Sequence, residues 1–204
     1  KNVYLLLKAL FDSNIRLQLM EGTWIGVEML QYCPPMERLE WEEQNYMLSE
    51  LFAFNEAEQS FRCYYAGEVQ SIGVETKDLY IRRAALVNAI KQKRGQPIIH
   101  RAVEWLTNTG ELENYQKEMD SILAEGKSLS ELKKEMSDID DERSRAFVAN
   151  SLNAMQNSKK NIGFVVVGSR HEEIMRKELE SRKVSYLVLA QSKIDKEDKV
   201  SKGK

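Results

Sequence analysis

The sequence predicts an α/β fold, a mostly parallel central sheet flanked by helices, with a helical insertion at about 96–139. Three observations carry this. "GFVVVGS" is β-branched, nearly continuous in apolar character and bounded by glycines, as a strand buried on both faces reads. It is followed by the helical stretch "EEIMRKELESRK" and the strand-like "VSYLVLA", the spacing of a right-handed βαβ unit. Earlier, "VQSIGVET" leads into the amphipathic "KDLYIRRAALVNAIKQKRG", a second strand followed by a helix.

In chain order, apolar residues fall at helical spacing over 3–11, and Asp12-Ser13-Asn14 makes a turn. "IRLQLMEG" then alternates apolar and polar as a strand does, ending at Glu21-Gly22. "WIGVEML" has no clear period. Pro34-Pro35 forces extended backbone, beyond which 37–54 reads as a helix. Gly95 closes the helix after "VQSIGVET". The stretch 96–139 is dense in Glu and Lys with scattered Leu, Ile and Met, and Gly110 and Gly126 divide it into three helical pieces. "DERSRAFVANSLNAMQNSKK" carries an apolar stripe, Ala146, Phe147, Ala149, Leu152 and Met155, suited to packing on a sheet. Ser137 or Asp138 is the expected cap at its start, with the acidic run "SDIDDER" complementing the helix dipole. Residues 1–190 are expected to form a single α/β domain, and the charged, aperiodic 191–204 a disordered tail.

Composition narrows the function. Of the 204 residues 42% are hydrophobic and 30% charged, the balance of a soluble globular protein, and no apolar run approaches the roughly 20 residues a spanning helix needs. A formal net charge of −2, with Lys and Arg spread along the chain, lacks the basic footprint of a nucleic-acid binder. Two cysteines, Cys33 and Cys63, supply neither a disulfide scaffold nor a CxxC zinc site, and point to a reducing, cytoplasmic location. The chain opens on Lys1 with no initiator Met and no signal pattern, so it is expected to continue upstream in its natural form.

Ligands of open parallel sheets sit beyond the carboxyl ends of the strands. Three candidate strands deliver a polar residue there: Glu21 after "LQLM", Glu75 after "SIGV" and His171 after "VVVGSR". A histidine and two carboxylates suit a divalent metal, and equally a general acid or base. Gly22 and Gly168 would allow turns that bring polar heads close to backbone. Arg143 lies near the start of the helix expected beside "GFVVVGS" and is placed to reach the same edge. Each has a plainer reading: a solvated helix cap for His171, carboxylates facing water for Glu21 and Glu75, a surface ion pair with Glu142 or Asp141 for Arg143. His100, in "QPIIHRAVEW", reads as structural. No phosphate loop, GxSxG elbow or HExxH helix occurs, and neither cysteine has a histidine near it in sequence.

Taken in order, "KNVYLLLKALFDSNIRLQLMEG", "SIGVETKDLY", "DERSRAFVANSLNAM" and "FVVVGSRHEEIMRKELESRKVSYLVLA" resemble the TraB, GumN and Tiki-type family and the related ChaN and erythromycin-esterase-like group. The resemblance covers most of the chain outside the insertion. It implies an α/β fold with an active cleft at the strand ends and, in Tiki-like members, metal-dependent hydrolysis of peptide bonds. Glu21 matches the family's first acidic residue and Glu75 the middle one. Arg143 matches the helix arginine, and Gly168 and His171 the Gly-x-x-His. Thr76 stands where the family usually has Asp, and Arg170 where a small residue is usual. Family members also carry an earlier strand ending in a His-containing motif, which would fall before Lys1.

The convergence of these four polar residues on one sheet edge gives the expected mechanism: His171 and a glutamate hold a divalent ion such as Mn, Co or Zn, which activates water. The other glutamate would serve as base, and Arg143 would stabilise the oxyanion or anchor a carboxylate of a peptide or small-molecule substrate. The alternative is a non-catalytic binding or regulatory protein with the same fold, in which the insertion at 96–139 is the partner surface.

Overall fold

The computed structural model describes residues 2–25 and 68–189. Helix α1 (Asn2–Asp12) turns through Asn14, at φ 63°, into strand β1 (Leu17–Trp24). Strand β2 (Gln70–Glu75) feeds helix α2 (Lys77–Lys93). Helices α3 (His100–Asn108), α4 (Leu112–Ala124) and α5 (Leu129–Asn157) follow, then strand β3 (Phe164–Val166), a 3₁₀ turn (Ser169–His171) and helix α6 (Glu172–Ser181). The helix expected at 37–54, most of "WIGVEML", Pro34-Pro35, both cysteines and the tail 191–204 lie outside the described residues. No described helix is long and apolar enough to cross a membrane.

The strands form one parallel sheet in the order β2-β1-β3, confirming the α/β class, and β1 rather than β3 is central. Side chains alternate across it. Leu17, Leu19, Val74 and Val165 pack on Phe147 and Val148 of α5 and Met175 of α6, while Phe164 and Val166 pack on Leu7 and Phe11 of α1. The sheet is therefore a layer between α1 and the α5–α6 pair. On the α1 side, Gln18 and Ser71 are buried side by side, the serine hydroxyl donating to Gln18 Oε1 at 3.2 Å. A second cluster, with Leu86, Leu106, Ile122 and Leu132 sealed from water, joins α2 to α3, α4 and the first part of α5.

Four sequence expectations change. The third piece of the insertion and the sheet-packing helix are one continuous helix of 29 residues, because nothing between Ser128 and Asn157 breaks it. Its cap is Ser128, in a reciprocal capping box with Glu131, so Ser137 and Asp138 are interior residues. "GFVVVGS" yields only three paired, half-buried residues beside β1. "VSYLVLA" forms no strand through Leu189, and Leu187 is 80% exposed. Gly110 and Gly126, at φ +77° and +67°, do separate the helices as expected, and Gly95 at +64° follows α2.

Pairing of β1 with β2 is regular up to Met20↔Gly73, then slips, and resumes at Trp24↔Glu75. Glu21, Gly22 and Thr23 thus stand against Val74 alone. Such irregularities interrupt the ladder and re-aim side chains, and this one carries Glu21. Gly22 lies within β1 and not in a turn after it. Gly168 has φ −63° and ψ 144°, dihedrals open to any residue, and a β-carbon there would meet only His171 Cδ2 at 3.9 Å. The turn after β3 does not require glycine.

Candidate functional site

Glu75 is the last residue of β2, His171 follows the end of β3, and Glu21 lies inside β1 just beyond Met20, its last partner to β3; α5 brings Arg143 to the same edge. Their contacts run Glu75 to Arg143 to Glu21 to His171. Arg143 Nη2 donates to Glu75 Oε2 at 2.7 Å and Nε to Oε1 at 3.2 Å, a two-point grip that only a planar guanidinium makes. The same Nη2 is 3.6 Å from Glu21 Oε1, and that oxygen is 3.6 Å from His171 Nε2. Glu21 Oε2 accepts from the Gly168 amide at 3.2 Å, which ties the irregular part of β1 to the end of β3.

Burial separates the four. Glu75, Arg143 and His171 are sealed from water, whereas the Glu21 side chain keeps 29% of its surface exposed. The solvated-cap reading of His171 and the surface ion-pair reading of Arg143 are both overturned. His171 sits edge-on to the Phe147 ring, centroids 5.1 Å apart, and the Arg143 guanidinium lies over the Phe147 and Tyr80 rings at 5.3 and 5.7 Å. His100 lies exposed at the start of α3.

Several residues of the cluster escaped the sequence reading. Asp140, one turn before Arg143, meets Arg143 Nη1 at 3.4 Å, Arg83 Nε at 2.5 Å and Arg170 Nη1 at 3.0 Å. Three guanidinium cations (Arg83, Arg143, Arg170) thus meet three carboxylates (Glu21, Glu75, Asp140), and the charges compensate each other. Asn150 donates to the Val74 carbonyl at 2.9 Å and to Thr76 Oγ1 at 3.2 Å, holding the end of β2 and with it Glu75. Ser144 reaches His171 Nδ1 at 2.8 Å. Asp140, Arg143, Ser144, Phe147 and Asn150 share one face of α5 at spacings of three and four. That stripe is in the sequence, but it is readable only if the helix runs through "SDIDDER" without a break.

Burial pushes the Glu21 carboxyl up. His171 in its protonated form, the charge of Arg143 and the Gly168 amide outweigh it and hold the group below the ordinary carboxylate value. Asp140 behaves alike: burial raises it, Arg83 and Arg170 lower it further, and the result is lowered. Burial, reinforced by the Glu75 charge, pushes the Tyr80 phenol up to about 12 against the pull of Arg143 and Arg83.

The expected mechanism puts a divalent ion on His171, Glu21 and Glu75. The residues do not fit that set in this arrangement. Both oxygens of Glu75 are taken by Arg143, whose guanidinium lies between the two glutamates. Among the described residues no group of three His, Cys, Asp or Glu side chains is arranged to hold a metal ion. A surface groove of about 620 Å³ lies nearby between α2, α5 and α6, lined by residues such as Thr76, Leu79, Arg145 and Arg182. None of the four candidate residues lines it. The chain matches no family model, no curated protein and no solved structure.

Proposed function

We propose that the chain is a hydrolase that cleaves a peptide or ester bond at the carboxyl edge of its sheet, with Glu21 and His171 handling the proton of the attacking water. The observation that carries this reading is the pairing of a partly exposed carboxylate, held ionised, with a buried imidazole nitrogen 3.6 Å away. Substrate reaches Glu21 from solvent, and His171 lies directly behind it. In the reaction, water adds to the carbonyl carbon as the pair takes its proton. The C–N or C–O bond then breaks, and the proton passes to the departing amine or alcohol. Arg143 holds Glu75 and keeps Glu21 charged, a positioning role in place of the oxyanion or carboxylate-anchoring role expected from the sequence. The resemblance to the TraB and erythromycin-esterase-like proteins supports the reaction class.

The test is hydrolysis of a panel of activated esters and short peptides by the wild type, Glu21→Gln and His171→Ala. Each substitution is expected to lower kcat by about 10²–10⁴-fold while the circular dichroism spectrum is retained. Unchanged rates in both variants would sink the assignment. A second reading, a non-catalytic binding protein, is favoured by one observation: the charges at the strand ends are spent on each other. In that reading the outer surface of α3, α4 and the first part of α5 contacts the partner. A wild type with no hydrolysis above background selects it.

A further inference from the structure

We propose that Ser144 is a positioning residue that fixes His171 as the Nδ1–H tautomer, so that Nε2, the nitrogen turned toward Glu21, is where the ring takes up and releases its proton. The inference deepens the hydrolase reading and rests on it for its catalytic meaning. The tautomer itself is argued from hydrogen bonding alone.

A serine hydroxyl has one hydrogen to give and lone pairs to receive. Ser144 Oγ lies 2.6 Å from the Asp140 carbonyl oxygen, one turn earlier in α5, and a carbonyl only accepts. The hydroxyl hydrogen is therefore committed to Asp140. The second contact of Oγ, with His171 Nδ1 at 2.8 Å, must then run the other way, with Nδ1–H donating to oxygen. Both residues are sealed from water, so no solvent molecule substitutes for either partner. The contact therefore decides which ring nitrogen carries the hydrogen of neutral His171.

The consequence falls on Nε2. With Nδ1 protonated, the neutral ring presents a lone pair on Nε2 facing Glu21 Oε1, and the imidazolium presents an N–H there. The attacking water gives its proton to the solvent-facing Glu21 carboxylate as hydroxide adds to the substrate carbonyl; the carboxyl passes it back to Nε2, and it returns by the same route to the leaving group. The opposite tautomer would already carry hydrogen on Nε2 and could not act as the base. The Phe147 ring holds the imidazole on one side, and the Gly168 turn brings it to the strand edge.

The experiment is long-range ¹H–¹⁵N NMR of the imidazole nitrogens in the full chain, recorded as pH is raised until the ring is neutral. The chain has two histidines, so His100→Gln assigns the His171 signals. Wild type is expected to show a protonated Nδ1 and an unprotonated Nε2, and Ser144→Thr the same pattern. Ser144→Ala removes the acceptor, and His171 is expected to move its hydrogen to Nε2, where Glu21 accepts it, with kcat falling about 10²-fold. A bare Nδ1 in wild type overturns the inference. So does an unmoved tautomer in folded Ser144→Ala. A correct tautomer in a chain with no hydrolytic activity leaves the inference standing and removes the proposed function instead.

Discussion

Arg143 grips Glu75 with two hydrogen bonds, at 2.7 and 3.2 Å, where neither side chain meets water. A buried pair of this kind is costly to assemble and more costly to break. Removing one partner strands the other charge in a medium that cannot solvate it. Arg143→Ala is expected to destabilise the fold by about 3–5 kcal/mol, measured by urea unfolding. Arg143→Lys restores only part of this, since an ammonium cannot make the two-point grip. The double variant Arg143→Met, Glu75→Leu should be more stable than Arg143→Ala. If Arg143→Ala unfolds at the wild-type midpoint, the pair is not buried in solution.

Acid should weaken the fold through Glu21 and Asp140. Both are held below their ordinary values of 4.5 and 3.8 in the folded chain. In the window below those values the unfolded chain binds more protons than the folded one, so stability falls as pH falls. The contribution is complete above about pH 5, where carboxylates in the unfolded chain are ionised, and is lost as pH drops through the folded values. Urea midpoints measured from pH 6 downward are expected to decline along this course, and more shallowly for Asp140→Asn. An identical slope for wild type and Asp140→Asn would contradict the charge cluster.

Metal should leave the wild type unmoved. With Glu75 spent on Arg143, Mn²⁺, Co²⁺ or Zn²⁺ is expected to produce no rise in Tm with metal concentration, whereas a true site stabilises in proportion to the logarithm of metal over Kd. Differential scanning fluorimetry checks this. A concentration-dependent rise that disappears in His171→Ala would restore the metal-dependent form of the hydrolase.

Phe147 touches the sheet core, the His171 ring and the Arg143 guanidinium together, and it is fully buried. Phe147→Ala is expected to cost about 3–5 kcal/mol in urea unfolding. Leu187→Ser should change stability by less than about 0.5 kcal/mol, because that side chain stands in solvent. A large loss on Leu187→Ser would mean that "VSYLVLA" is strand after all.

Much of the site was legible from strand ends. Glu21, Glu75 and His171 each follow a short apolar run, and parallel strands with helical returns deliver their carboxyl ends to one edge. Arg143 is legible only as a candidate, since the acidic run "SDIDDER" carries the local signals of a helix start. That misplaced start also hid Asp140 and Ser144, which belong to its face of α5 once the helix is known to begin at Ser128. Local capping signals at two places competed, and the reciprocal box of Ser128 and Glu131 prevailed with no helix breaker after it.

The sequence by itself determined the α/β class, the alternation of strands and helices, and the placing of Glu75 and His171 at the ends of their strands, because hydrophobic period is a local property. Only the tertiary structure decided what those residues do to one another. It put Arg143 on Glu75, removing that carboxylate from the metal set, turned Glu21 outward in an irregular stretch of β1, and set Ser144 against His171. Sequence spacing cannot specify which of several opposite charges meets a guanidinium, or which nitrogen of an imidazole meets a hydroxyl. Those pairings depend on how α5 crosses the sheet edge, and burial then makes them exclusive, since no water is at hand to replace a partner.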